Sequence, residues 1–183
     1  MSEKLIVRYC SPTLAGLKTA NMFTCPVNDE EKLLASMDRF NAMLGKKGLR
    51  LLVLRIKDKR ALIYAYRPSM LKADLENPIS RAILKERGYE EGSVANMLRE
   101  LKQRLCSNED FPHEIGLFLG YPPDDVRCFI CDRNRGCKCV GCWRAYNDKA
   151  GAERTFARFK KCSEVYSKSM EEGNTLERLT VAL

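Results

Sequence analysis

Histidine occurs once in this chain of 183 residues, at His113. Imidazole is the side chain whose ordinary titration lies nearest neutral pH, so a lone histidine inside a dense motif is a candidate for acid–base work. The motif runs Phe111-Pro112-His113-Glu114-Ile115-Gly116-Leu117-Phe118-Leu119-Gly120-Tyr121-Pro122-Pro123-Asp124-Asp125-Val126. Cysteine is the second chemical resource, with nine copies. An odd number of cysteines in a chain whose first residues are too poor in apolar side chains for an export signal argues against a disulfide framework. It points instead to free thiols, metal ligands or a reactive thiol.

The reactive-thiol reading centres on Cys10. It precedes Ser11-Pro12-Thr13, residue types that start a helix, and a thiol at a helix N-terminus is stabilised as thiolate by the dipole. His113 would serve as its base or ion-pair partner and Glu114 would stand beside it. Asp125 and Asn147 are the candidates to orient the imidazole. Lys18 and Asn21 lie close to Cys10 in sequence and would line the same pocket as substrate contacts. The order, cysteine early and histidine late, is similar to papain-like hydrolases and transferases at the level of motif alone. The competing reading makes Cys10 a small buried hydrophobe and His113 a structural donor, and cysteine is among the most buried residue types.

A second chemistry is metal binding. Cys128-x2-Cys131 followed by Cys137-x-Cys139-x2-Cys142 places five thiols within fifteen residues. Two C-x2-C pairs (Cys128, Cys131, Cys139 and Cys142) supply four sulfurs, a tetrahedral set suited to zinc or an iron–sulfur cluster. The alternative is a group of free thiols in a reducing compartment.

The net charge is +8, and it is uneven. Between Lys46 and Lys72 stand nine basic residues and one acid, Asp58, which together account for the whole net charge. Arg60, Tyr64 and Tyr66 share one face of a strand by period two, a pattern that can bind phosphates and stack bases. The signature of an RNA-recognition motif is absent, which favours a plainer role, an edge hairpin whose cations block aggregation. An acidic partner or nucleic acid is thus the lesser alternative. Arg67, just before Pro68, is either a substrate contact or a clamp within the fold.

The elements that must position these groups form an alternating α+β pattern. Asn28 with Glu31 is a capping signal, and Leu33, Met37, Phe40 and Leu44 follow at helical spacing. Leu49–Ile56 and Ala61–Tyr66 read as an antiparallel hairpin, sharing a sheet with a third strand at Ile115–Tyr121. Helices are expected over Pro78–Arg87, along the Val94, Met97, Leu98, Leu101, Leu105 stripe, over Pro122–Ile130 and from Lys149 to Glu171. A cysteine-rich loop or strand precedes that last long helix, and Leu176–Leu183 reads as a final strand. Trp143, Tyr146 and Cys162 read as packing residues. No linker or repeat interrupts the chain. The expectation is a single α+β domain, residues 1–183, with a mixed or antiparallel sheet packed by several helices. No stretch reaches the roughly 18 apolar residues that span a bilayer, so a cytoplasmic protein without a membrane partner is expected.

Several segments carry a resemblance: CSPTLAGLKTANMF, YAYRPSML, FPHEIGLFLGYPPDDV, CKCVGCWRAY, FARFKKCSEVY and LERLTVAL. Through them, over nearly the whole chain, the sequence resembles a bacterial family known only as domain of unknown function 3793. The family pattern includes counterparts of Cys10, Lys18, Asn21, Arg67, His113, Glu114, Asp125, Cys139 and Trp143. Cys128, Cys131, Cys137 and Cys142 depart from it. The resemblance carries no activity with it. The reading that follows is a thiol-centred site, Cys10 with His113, acting on a small molecule or peptide. Its rival is a non-catalytic binding or regulatory protein.

Overall fold

Ser2 caps the first helix by accepting from the Leu5 amide, and helix α1 then runs Glu3–Leu14. A computed structural model describes residues 1–107, 111–132 and 136–183. The fold is α+β, and the chain divides into two compact units. One comprises residues 1–69 and 159–183, the other residues 70–158.

In the first unit, β1 (Ala20–Pro26), β2 (Arg50–Lys57) and β3 (Arg60–Tyr66) form an antiparallel sheet in the order β1-β3-β2. The expected hairpin is present. Its two-residue loop places Asp58 at φ 50° and Lys59 at φ 55°, the doubly left-handed turn whose twist matches the flanking strands. Ala61, Ile63 and Ala65 of β3 face the core with Phe23, Cys25 and Leu51. Alternation along the strands makes that face apolar. It is covered by Ile6, Val7, Cys10 and Leu14 of α1 and by Leu33, Met37, Phe40 and Leu44 of α2 (Glu30–Leu44). The cap of α2 is Asp29, which accepts from the Lys32 amide at 2.9 Å, rather than Asn28. β2 is an edge strand with a register break between Val53 and Arg55, and it carries exposed cations at both ends. A bulge and charges on an edge are the devices that deter strand-to-strand aggregation.

The third strand of the sheet is β1, not Ile115–Tyr121. Ile115–Phe118 instead forms a short helix, α6, with all four residues buried. An apolar run covered on every side satisfies a buried helix as well as a buried strand. Gly120 decides the matter with φ 71°: its amide returns to the Leu117 carbonyl at 3.1 Å and the Tyr121 amide to Gly116 at 3.0 Å, a left-handed helix stop. The rest of the second unit holds most of α3 (Pro68–Glu76), α4 (Pro78–Glu86), α5 (Val94–Ser107) and α7 (Pro123–Cys131). A two-stranded ribbon follows, β4 (Cys139–Val140) with β5 (Arg144–Ala145). α7 packs beside α4 and α6. Residues 133–135 of the cysteine-rich stretch lie outside the described residues.

Helix α8 (Lys149–Glu171) matches its expected span and closes at Gly173, φ 92°. The final strand expected at Leu176–Leu183 is instead a short helix, α9 (Leu176–Leu179), and an extended end. Thr175 supplies the reason, since its hydroxyl accepts from the Arg178 amide as an N-cap. Among the described residues no helix is long and apolar enough to cross a membrane.

Candidate functional site

Three of the residues singled out by the sequence, His113, Asp125 and Trp143, line one cavity of about 330 Å³ in the second unit. Its walls come from the turn before α6, from α6 and α7, and from the β4–β5 ribbon. His113 stands in that turn rather than at the mouth of a strand. Its ring meets Phe129 of α7 edge-on, with centroids 5.2 Å apart. Tyr121 and Val126 form another part of the lining, and Phe111 and Val140 stand exposed at 41% and 68%. Exposed apolar side chains at the edge of an apolar hollow are informative where scattered ones are not.

Asp125 holds this site in shape. It is buried, and its Oδ2 accepts from Trp143 Nε1 at 2.9 Å. Its Oδ1 accepts from the Tyr146 amide at 2.9 Å, the Asn147 amide at 3.2 Å and Asn147 Nδ2 at 3.1 Å. One carboxylate on α7 thereby fastens both the indole and the chain leaving β5. The Trp143 ring is further fixed by Phe156 edge-on at 4.5 Å and by Tyr121 at 5.3 Å. Gly141 permits this, because a Cβ there would run into the Phe156 ring. Burial pushes the Tyr121 phenol up to about 12, with Cys142 adding to the effect, so it stays a neutral donor. Both carboxylate oxygens of Asp125 are engaged by these donors. We expect Asp125→Ala to cost about 2–3 kcal/mol, since it strands several donors. Asp125→Asn should cost less. Urea unfolding followed by the emission of Trp143, the sole tryptophan, checks both; a shift below about 0.5 kcal/mol in Asp125→Ala would remove the fastening role.

The chain matches the profile of a family described as protein of unknown function, DUF3793, over residues 6–180. It belongs to that family. No curated protein and no solved structure matches it.

The other expected site residues of this DUF3793 chain lie elsewhere. Glu114 follows His113 but does not line the cavity. It is buried at 3% exposure, accepts from the Tyr89 hydroxyl at 3.2 Å and faces Arg104 at 3.8 Å. Arg104 also lies 4.3 Å from the Tyr89 ring centre and bonds Glu100, so Glu114 belongs to a packed polar cluster. Burial and this carboxylate push the Tyr89 phenol well above its ordinary range.

Cys10 belongs to the first unit and His113 to the second. Cys10 is not at a helix start: α1 begins at Glu3, so the residue sits in its third turn with no exposure at all. Burial drives its thiol far above the ordinary range, outweighing the opposing influence of Lys18. The dipole that would have favoured thiolate is therefore missing, and the surroundings favour the neutral thiol. Lys18 is itself buried, and Asn21 accepts from the Thr13 hydroxyl at 2.7 Å.

Arg67 is engaged by main chain within its own unit. Fully buried, it donates to the carbonyls of Thr13 at 2.7 Å, Leu14 at 2.7 Å, Lys47 at 3.1 Å and Val181 at 2.8 Å. Two of these terminate α1, where a cation is favoured. Tyr64, proposed as part of a stacking face, has no exposure and lies against Tyr66 at 5.0 Å, so it offers no face to a base.

The metal reading also fails to find its geometry. Cys128 and Cys131 are on α7, Cys139 is on β4 with its sulfur toward the Lys149 carbonyl, and Cys142 is exposed in the ribbon turn. Among the described residues no three His, Cys, Asp or Glu side chains gather to hold a metal. Sequence reasoning missed Phe129, Val140 and Arg144 as cavity residues. The signal for Phe129 was its position on the same helical face as Val126, three residues before it.

Proposed function

We propose that this protein binds a small, largely apolar molecule in the cavity around His113. The observation that carries this reading is a preformed, mainly apolar hollow of about 330 Å³ with five rings in its lining, its indole fastened by Asp125. Ligand sites are of this kind: concave, apolar, and provided with a few placed polar groups. Preorganisation matters energetically, because walls that are already ordered lose little entropy when a ligand enters. The reading is of a binding protein rather than a thiol enzyme. Cys10 is sealed in the core of its unit and disfavours the thiolate, while Asp125 is committed to four donors.

Trp143 makes the test direct. A neutral dye that fluoresces in apolar surroundings, such as prodan, should bind at one site per chain, with energy transfer from Trp143. Phe129→Ala should weaken binding at least about tenfold, the effect of losing a buried ring's contact area. Circular dichroism would establish that the variant is folded. Absence of saturable transfer in the parent protein, or equal affinity in folded Phe129→Ala, would refute the reading.

A further inference from the structure

We infer that the ligand of this cavity is a two-ring aromatic carboxylate, its rings within the hollow and its anion at Arg144; this rests on the binding reading above. Volume sets the ring count. An apolar cavity of about 150 Å³ accepts benzene. The cavity here is about 330 Å³, roughly twice that, which suits a fused or linked pair of rings and leaves a single ring loose. The lining sets the aromatic character. Phe111, His113, Tyr121, Phe129 and Trp143 all present rings, and offset or edge-on aromatic pairs gain energy beyond the burial of their area. Two of those rings already meet neighbours edge-on, His113 on Phe129 and Trp143 on Phe156.

Charge sets the polar end. Arg144 is an exposed lining residue on β5, its guanidinium 5.9 Å from the Phe129 ring centre. A guanidinium at this distance is attracted to the aromatic ring, and its five N–H donors form a planar fork that suits a carboxylate even where one of them already has a partner. The lining carboxylate, Asp125, faces Trp143 and the Tyr146–Asn147 backbone with both oxygens engaged, so it is poorly placed to hold a cationic ligand. A ligand with an apolar body and one negative end complements this distribution.

Calorimetric titration with naphthylacetate, naphthylethanol, naphthylethylamine and phenylacetate tests the inference on the intact protein. Naphthylacetate should bind about tenfold tighter than the alcohol, for its charge-assisted contact, and about tenfold tighter than phenylacetate, for its second ring. The amine should bind weakest. Arg144→Gln should weaken the carboxylate about tenfold and the alcohol much less, and Arg144→Lys should restore part of the preference. If prodan binds but the alcohol or amine matches the carboxylate, or phenylacetate matches naphthylacetate, the ligand class is overturned and the binding reading stands. If neither prodan nor any naphthyl compound binds, both fall.

Discussion

Arg67→Met is expected to lower the folding free energy by about 3–5 kcal/mol, the size seen when one member of a buried charged network is removed. The side chain has no exposure and donates four hydrogen bonds to main-chain carbonyls from three separate parts of the first unit. Those parts are the end of α1, the turn after α2 and the extended end after α9. Lys47 reinforces the same junction through its ammonium, which donates to the carbonyls of Glu177 and Thr180. Methionine fills similar space but donates nothing, so carbonyls that are desolvated in the fold lose their partners. Burial lowers the guanidinium's affinity for its proton, yet arginine's ordinary range is so high that it remains charged at neutral pH. Arg67→Lys keeps the charge but replaces a planar fork with a single ammonium, and should fall between the two. Chemical denaturation would show this as a lower midpoint with an unchanged slope. A loss under about 1 kcal/mol in Arg67→Met would mean that water or rearranged backbone replaces the clamp.

What the sequence could and could not reveal follows from how local each decision was. The β2–β3 hairpin was legible because alternation and a charged two-residue turn specify it within seventeen residues, Arg50 to Tyr66. α5 and α8 announced themselves by helical spacing. β1 did not, because Asn21, Thr24 and Pro26 dilute its pattern and it becomes a strand by pairing with β3, some forty residues on. α6 was hidden for the opposite reason: its residues are all apolar, and burial on every side erases periodicity. At the site, His113 and Asp125 were candidates from the sequence while Trp143 was read as a packing residue, and the fold brings all three to one cavity. Their roles were not legible. Asp125 was a candidate to orient the imidazole, whereas the partners it holds lie eighteen to twenty-two residues further along. Cys10 looked like a helix start because Pro12 follows it, but α1 accepts that proline internally.

Cys10 is expected to be among the slowest of the cysteines to react with an alkylating agent, by at least about a thousandfold relative to exposed Cys106, Cys131 and Cys142. Only thiolate attacks, and Cys10 must first be uncovered. It lies within the core of its unit among Val7, Leu14 and the α2 residues, so exposure requires opening that core. Each 1.4 kcal/mol of opening free energy slows labelling about tenfold, and core openings approach the global stability. Pulsed alkylation at neutral pH, read by peptide mass spectrometry with and without denaturant, measures the ratio. His113→Ala should leave the Cys10 rate unchanged. A Cys10 that labels first, and slows in folded His113→Ala, would restore a thiol site. The same burial has a signature in pH. The folded-state value is raised above the ordinary 9.0, so above about pH 9 the unfolded chain releases a proton that the folded chain retains. Fewer protons bound in the unfolded state means stability falls as pH rises, by about 1.4 kcal/mol per pH unit from this group. Tyr121, raised from 10.0 to about 12, adds a second decline above pH 10. Cys10→Ala should therefore be less stable than the parent at neutral pH, where a small cavity remains, yet lose stability less steeply between about pH 9 and 11. Parallel curves for the two proteins would show that the thiol is not sealed from water.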